Sequence, residues 1–398
     1  MTSRLPYNPR VVSAPGDPAL AAEIERFVGA GPAVGDWFLK LEGLGLAEAD
    51  ELRGASIRHG GGLLPNLRGE ERADAILRIP ADCVPAFLDA IEPTLAGPAK
   101  AIRETFDAWL RETFSLRCGG ESLELGRRTL VMGIVNVTPD SFSDGGQFAD
   151  PAVAIEHGRR LAAEGADILD IGGESTRPGA EPVDAETECR RVLPVIEALA
   201  REFQVPISID TAKAAVARRA FDAGARILND VTALRGDPEM ARFAAEAGAP
   251  VVLMHMQGTP RTMQKDPHYD DLMGEIVGYL RQSMARAVEA GVAEDQLIVD
   301  PGIGFGKTLD HNLEIIRRLP ELRSLGRPIL LGTSRKKFIG TILDAAVDER
   351  LLGTAATVAF GIARGAHIVR VHDVAAMRQV ARMTDALAGR QWTVGSGQ

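Results

Sequence analysis

Short apolar runs alternate with longer segments of helical character from Leu130 onward. The runs are rich in Val, Ile and Leu, which is typical of parallel strands that are buried on both faces. The segments between them are rich in Ala, Glu and Arg and have the apolar period of helices. The runs are LVMGIVNV, DILDIGG, VPISIDT, RILNDV, PVVLMH, QLIVDPG, PILLGTS and HIVRVH. Eight βα units predict an α/β fold, the (β/α)8 TIM barrel, whose usual size is about 250 residues.

Polar side chains stand at the end of every one of these runs. In a TIM barrel the carboxyl ends of the strands surround the active site, so these side chains are expected to form one ring. An acid or amide inside an apolar run is costly to bury unless a partner or a ligand satisfies it. The recurrence of polar side chains at all eight strand ends therefore indicates a binding site. The strand-end residues are Asn136, Asp170, Asp210, Asn229, Asp230, His255, Asp300, Ser334, Arg370 and His372.

The expected ring combines hydrogen-bond acceptors with cations. Carboxylates and amides suit a ligand face that carries N–H donors, whereas the cations suit an anionic face. A heterocycle that carries a phosphate has both kinds of face. The ring is therefore predicted to bind such a ligand.

The stretch DPGIGFGKT, residues 300–308, resembles a phosphate-binding P-loop. The P-loop pattern GxxxxGK[ST] requires glycine where this chain has Pro301, so an NTPase is not predicted. The glycines are instead expected to let this loop fold closely over a ligand that contacts Asp300.

Residues 1–114 precede the barrel and are predicted to form a small α/β region of unknown role. A helix is expected after Asp17 and Pro18, a strand at AILRIP, and an amphipathic helix at AKAIRETFDAWLRETF. The predicted division is therefore an N-terminal extension (1–114), a catalytic barrel (115–390) and a C-terminal tail (391–398).

Composition and charge limit the function classes. The chain has 398 residues, of which 45% are hydrophobic, so it can bury substantial cores. Its net charge of -10 argues against a general nucleic-acid binder. Cys83, Cys118 and Cys189 are widely spaced, which predicts free thiols in a reducing cytoplasm rather than disulfides or a zinc site. The sequence contains no secretion signal and no apolar run of membrane length, so no membrane association is expected.

Taken together, the motifs resemble dihydropteroate synthase, a pterin-binding family of folate biosynthesis. The resemblance covers Leu123 to Leu387 and rests on MGIVNVTPDSFSDGG, DIGGESTRPG, SIDT, ILNDVTA, VLMHMQGTP, VDPGIGFGK, GTSRKKFIG and VRVHDV, in the order of the family. It implies a (β/α)8 barrel that condenses 6-hydroxymethyl-7,8-dihydropterin diphosphate with 4-aminobenzoate. The products would be 7,8-dihydropteroate and diphosphate.

The resemblance also implies a role for particular residues. Pterin contacts are implied at Asp210, Asn229, Asp300, Lys336 and Arg370, diphosphate contacts at Asn136, Arg370 and His372, and aminobenzoate contacts at Phe142, Thr176, Arg177 and Pro178. Catalytic roles are implied for Asp210, Lys336, Arg370 and His372. Mg2+ would bind Asn136 and phosphate oxygens, which are the hard ligands that it prefers. Lys337 stands where many members have a small hydroxyl residue, so the aminobenzoate subsite is expected to differ there.

Two alternatives remain open. A pterin-binding methyltransfer domain uses a similar barrel, although the STRPG and SRK loops together favour the synthase. A binding-only relative would keep the pterin pocket, but it would not need the diphosphate contacts at Asn136, Arg370 and His372. The expected partners are the two small-molecule substrates and a second copy in a homodimer, with no nucleic acid and no membrane.

Overall fold

A computed structural model describes residues 7–12, 35–68, 71–138, 151–175 and 181–390. The chain divides into two compact units. The first comprises Met1–Arg111, Asp271–Gln282 and Arg317–Gly326, and the second comprises Glu112–Asp270, Ser283–Ile316 and Arg327–Gln398. The first unit thus includes two segments from much later in the chain. The domain division at residue 114 stays a prediction.

The described part of the first unit is a small α/β structure, as predicted. Its strands form an antiparallel sheet in the order β1-β2-β4-β3. These strands are β1 (Tyr7–Val11), β2 (Asp36–Gly45), β3 (Gly62–Arg68) and β4 (Arg72–Pro80). The helices are α1 (Leu46–Arg58), α2 (Val84–Ile91) and α3 (Ala96–Leu110). The predicted strand AILRIP lies in β4. The predicted amphipathic helix, residues 99–114, overlaps α3 but extends beyond its end at Leu110, and Phe114 belongs to the next strand. The helix expected after Asp17 and Pro18 falls outside the described residues.

A buried ion network lies in the first unit. The side chain of Arg10 is 0% exposed, and its guanidinium lies 2.6 Å from Glu42, 2.5 Å from Asp271 and 3.5 Å from Glu321. Lys40 contacts the same Asp271 oxygen at 2.7 Å. Burial alone would raise the pKa of the Asp271 carboxyl, but Arg10 and Lys40 lower it overall. The network therefore joins β1 and β2 to the later segments of this unit.

The second unit contains a hairpin followed by the barrel. The strands are β5 (Phe114–Cys118), β6 (Glu121–Leu125), β7 (Leu130–Asn136), β8 (Ile168–Gly172), β9 (Ile207–Asp210), β10 (Ile227–Asp230), β11 (Val251–Met254), β12 (Leu297–Asp300), β13 (Leu330–Leu331) and β14 (Ile368–Val371). Within the described residues, β7 to β14 form one parallel sheet in the order β12-β11-β10-β9-β8-β7-β14-β13. A parallel bridge between Val299 and Ile329 brings β12 beside β13 and closes the sheet into the predicted TIM barrel.

Helices alternate with the barrel strands along the chain. They are α4 (Pro151–Ala163), α5 (Ala185–Glu202), α6 (Ala214–Ala223), α7 (Met240–Ala247), α8 (Leu272–Glu289), α9 (Leu309–Arg317), α10 (Lys337–Leu343), α11 (Leu351–Ala363) and α12 (Val374–Leu387). Short 3₁₀ helices lie at Ala81–Cys83, Glu294–Gln296, Leu319–Leu325 and Val347–Glu349. In the part of the chain that the structure describes, no helix is long and apolar enough to cross a membrane.

The hairpin of β5 and β6 covers the amino ends of the barrel strands, a feature that the sequence analysis did not predict. Leu116 and Leu125 are buried in one cluster with inward side chains from the starts of the barrel strands, including Leu130 and Ile168. Gly119 and Gly120 both have positive φ, as a two-residue hairpin turn requires. Among the described residues, apolar side chains therefore fill this end of the barrel, and the polar strand ends lie at the opposite end.

We expect Arg10→Met to lower the free energy of unfolding by about 3 kcal/mol, because the buried Glu321 carboxylate loses one of its cations. Urea unfolding followed by tryptophan fluorescence measures this, since Trp37 and Trp109 pack edge to face in the same unit. The control is Arg103→Met, whose half-exposed side chain pairs with Glu92 at 3.0 Å; its cost should stay below about 1 kcal/mol. Equal costs for both variants would contradict a structural role for the network.

Candidate functional site

Four strand-end side chains form a hydrogen-bonded group that we call the arginine–carboxylate cluster: Asp170, Asp210, Asn229 and Arg370. Arg370 on β14 donates from Nε to Asp170 Oδ2 at 2.6 Å and from Nη2 to Asp210 Oδ2 at 2.8 Å. Asn229 on β10 donates from Nδ2 to the same Asp170 oxygen at 3.1 Å. Four of the ten predicted strand-end residues, from β8, β9, β10 and β14, therefore form one connected group.

The arginine–carboxylate cluster contains two acids and one cation. Burial raises the pKa of Asp210 to about 7; Arg370 opposes this rise and Asp170 adds to it. Burial alone would lower the pKa of Arg370, but the two carboxylates raise it overall. Asp170 Oδ1 is buried without a hydrogen-bond partner among the described residues. With both acids ionised the cluster is negative, so it favours a ligand that carries or develops positive charge.

Asp300 and Lys336 form a second group at the same mouth. Asp300 Oδ1 accepts a 2.6 Å hydrogen bond from the Gly302 N–H, and burial raises the pKa of this carboxyl against that bond. Lys336 Nζ donates to the carbonyl of Ile303 and lies 4.6 Å from the centre of the Phe305 ring. Burial lowers the pKa of Lys336 to about 8, although Asp300 opposes the change. A carboxylate and a desolvated amine therefore face the mouth together.

The loop after β12 is shaped by its glycines, while its folding over a ligand stays a prediction. Gly302 has φ +67°, and a Cβ there would lie 1.9 Å from the carbonyl oxygen of His255. No other residue fits such a close approach. The loop consequently packs against the end of β11 and presents Ile303 and Phe305 to Lys336.

His372 and Asn136 lie at the ends of β14 and β7, which are adjacent in the sheet. The Oγ of Ser334 accepts from the His372 N–H at 3.1 Å and lies 2.9 Å from its Nδ1. Asn136 is half-buried at the last position of β7. Phe142, Thr176, Arg177 and Pro178, the residues with implied aminobenzoate contacts, lie outside the described residues.

Sequence reasoning missed two lysines near the mouth, Lys213 and Lys307. Lys213, three residues after Asp210, donates to Glu174 at 2.6 Å and to the fully buried Glu188 at 2.7 Å. Lys307 is 3% exposed, and its Nζ lies 2.9 Å from His255 Nδ1. The sequence does mark Lys307, because it lies in DPGIGFGKT, but this stretch was interpreted only through its resemblance to a phosphate-binding loop.

Comparisons with known proteins agree with this geometry. The family model described as pterin binding enzyme matches residues 132–372, from β7 to the end of β14. The dihydropteroate synthase of Synechocystis sp. is 50% identical over 273 residues, covering 68% of this chain and 94% of that protein. The Xanthomonas albilineans dihydropteroate synthase with 4-aminobenzoic acid has a TM-score of 0.65 and 46% identity, covering 69% of this chain and 98% of that chain. The Yersinia pestis dihydropteroate synthase with a sulfonamide drug has a TM-score of 0.66 and 44% identity, covering 70% of this chain and 100% of that chain.

Lys336→Met is expected to raise the free energy of unfolding at pH 7 by about 1–3 kcal/mol, because the ammonium loses water in the folded state while methionine keeps the apolar stem. The lowered pKa of Lys336, about 8, fixes the sign of the pH dependence. As the pH rises, Lys336 loses its proton in the folded wild type at a lower pH than in the unfolded chain. The free-energy cost of burying the ammonium therefore falls between about pH 8 and pH 10.5.

Urea unfolding of both proteins at pH 7 and pH 10 measures this difference. The advantage of Lys336→Met should be present at pH 7 and largely lost at pH 10. A variant that is less stable at pH 7, or a difference that does not change with pH, would contradict the desolvation of this amine.

Proposed function

The chain belongs to the pterin-binding enzyme family, among the dihydropteroate synthases, and on that premise we propose which of its residues bind and activate the substrates. The reaction joins 6-hydroxymethyl-7,8-dihydropterin diphosphate to 4-aminobenzoate and gives 7,8-dihydropteroate and diphosphate. The observation that carries the proposal is the arginine–carboxylate cluster beside Asp300 and Lys336, since this mouth offers both acceptors and cations.

The pterin is proposed to lie against Asp300, Lys336 and the arginine–carboxylate cluster. The 2-amino group and N3–H of a pterin are two parallel donors, which the buried carboxylate of Asp300 can accept. Lys336 would exchange its bond to the Ile303 carbonyl for one to the ring carbonyl. Asp210 and Asn229 would contact the remaining ring nitrogens, and Arg370 would lie over the ring.

The diphosphate is proposed to contact Arg370, His372 and Asn136. Among the described residues, no group of three or more His, Cys, Asp or Glu side chains could hold a metal. The amide oxygen of Asn136 is a hard donor, which fits a Mg2+ ion that takes its other ligands from the substrate and water. When bound, that ion supplies positive charge to the leaving diphosphate.

Catalysis is proposed to proceed by departure of the leaving group. The bond between the methylene carbon and the diphosphate oxygen breaks, its electrons leave with the diphosphate, and the pterin carries the positive charge. The amine nitrogen of 4-aminobenzoate then bonds to the methylene and loses a proton to water. Arg370 and His372 neutralise the leaving group, and ionised Asp210 stabilises the cationic pterin, so the chain supplies electrostatic stabilisation and positioning rather than a nucleophile.

Phe142, Thr176, Arg177 and Pro178 are proposed to bind 4-aminobenzoate. The relatives solved with 4-aminobenzoic acid and with a sulfonamide drug support an arylamine subsite in this family. Glu174 and Val183 lie on either side of the stretch that contains Thr176, Arg177 and Pro178, and a 3.1 Å hydrogen bond from the Val183 N–H to Glu174 Oε1 joins them.

A homodimer and a cytoplasmic location are also proposed. Large apolar side chains on and between α10 and α11 are exposed, including Leu343, Val347 and Leu352, and a second copy would cover them. Light scattering of the purified protein tests the dimer. Cys83, Cys118 and Cys189 are free thiols, which supports a reducing compartment.

Product analysis tests the function as a whole. The purified chain with both substrates and Mg2+ should release 7,8-dihydropteroate and diphosphate in equal amounts. Pterin binding without product would instead indicate the binding-only alternative, and transfer of a methyl group from a reduced folate would indicate the methyltransfer alternative.

Asp300→Asn is expected to weaken binding of the pterin diphosphate by about 1.5–3 kcal/mol, the scale of a hydrogen bond to a charged group. Calorimetric titration without 4-aminobenzoate measures the affinity. The matched control is Asp222→Asn, at an exposed position near the end of α6. Unchanged affinity in Asp300→Asn would remove this carboxylate from the pterin pocket.

We expect 4-aminobenzoate to bind only after diphosphate and Mg2+. The anion, held by Asn136 at the end of β7, would fix the start of the stretch that leads to Phe142. A site that is incompletely populated without the anion loses affinity in proportion to its unpopulated fraction. Titration of 4-aminobenzoate with and without diphosphate and Mg2+ measures this, and diphosphate with a chelator isolates the contribution of the ion. Equal affinity in all three conditions would show that the site is preformed.

A further inference from the structure

Lys307 is a buried amine that the proposed reaction does not use. It lies near the end of the loop after β12, and its Nζ donates to the carbonyl of Phe305 at 2.9 Å and lies 2.9 Å from His255 Nδ1. The His255 carbonyl lies 3.5 Å away. This single amine therefore joins the end of β11 to the middle of the loop after β12.

The contact between Lys307 Nζ and His255 Nδ1 requires this ring nitrogen to carry no proton. Burial lowers the pKa of Lys307 well below its usual value, with Asp300 opposing the change and Lys336 adding to it. Burial also lowers the pKa of His255, and Lys307 and Arg235 contribute to that change. The imidazole is therefore neutral and its Nδ1 can accept from Lys307.

A short chain of contacts leads from Lys307 to Lys336. Lys307 fixes the backbone of Phe305, and the ring of the same residue lies 4.6 Å from Lys336 Nζ. Two residues earlier, the Ile303 carbonyl accepts from Lys336. The loop thus supplies both groups that hold the Lys336 amine at the mouth, and Lys307 fixes that loop from its buried side.

We propose that Lys307 is a positioning residue that acts through Phe305 to hold Lys336 where it meets the pterin. The inference rests on the proposed contact between Lys336 and the pterin ring carbonyl, and it extends that function to a residue that touches no substrate. Removing the Lys307 amine would leave the Phe305 carbonyl and His255 Nδ1 without this donor. The loop would then relax, and Lys336 would lose its defined place.

A double-mutant cycle separates this role from general stabilisation. Lys307→Met should weaken binding of the pterin diphosphate by about tenfold or more when Lys336 is present, measured by calorimetry with Mg2+ and without 4-aminobenzoate. In the Lys336→Met background the same substitution should change the affinity by less than about twofold. In steady-state assays of the single variant, KM for the pterin substrate should rise while KM for 4-aminobenzoate stays nearly constant.

Two further variants make the experiment decisive. Lys265→Met replaces an exposed lysine in the preceding loop and should leave the pterin affinity unchanged. Phe305→Leu keeps Lys307 in place but removes the ring near Lys336. It should weaken pterin binding only when Lys336 is present, and it tests the proposal even if Lys307→Met does not fold.

The outcomes that overturn the inference differ from those that overturn the proposed function. Equal weakening by Lys307→Met with and without Lys336, or no weakening at all, would show that Lys307 does not act through Lys336. An unchanged pterin affinity in Lys336→Met alone would refute the proposed contact of Lys336 itself, and the role of Lys307 would fall with it.

Discussion

The mouth of the barrel depends on one interaction, the guanidinium of Arg370 between the carboxylates of the buried Asp170 and the partly buried Asp210. Removing charged groups from water at the ends of apolar strands costs free energy unless each charge has a partner. Arg370 partners both acids, yet the cluster carries an excess negative charge when both are ionised, and one Asp170 oxygen has no partner among the described residues. Such uncompensated negative charge stabilises the positive charge that develops on the pterin as the diphosphate leaves.

The rest of the second unit keeps this cluster at a single open end. The hairpin of β5 and β6 fills the amino end of the barrel with apolar side chains such as Leu116 and Leu125. At the other end, the loop after β12 approaches the His255 carbonyl so closely that Gly302 is required. The buried Lys307 fixes this loop from inside. Apolar packing thus defines where the site is, and buried polar contacts define its shape.

The sequence predicted the architecture well because strand period and strand-end polarity are local signals. All eight apolar runs form barrel strands, and the grouping of Asp210, Asn229 and Arg370 follows from the common mouth of that fold. What could not be predicted depends on contacts between distant residues. Asp170 and Arg370 are 200 positions apart, and Arg10 and Asp271 are 261 apart, so no local pattern identifies them as partners. The hairpin was missed although Gly119 and Gly120 carry a recognisable turn signal.

Asp170 accepts a hydrogen bond from Arg370 Nε, and on the proposed mechanism it orients this guanidinium toward the pterin and the diphosphate without touching a substrate itself. The most direct measurement is kcat/KM for the pterin diphosphate in Asp170→Asn, which keeps the shape of the side chain but loses its charge. Our account predicts a decrease of about 30- to 100-fold, the equivalent of about 2–3 kcal/mol, with the fold intact by thermal unfolding. A folded Asp170→Asn variant with the kcat/KM of the wild type would contradict it.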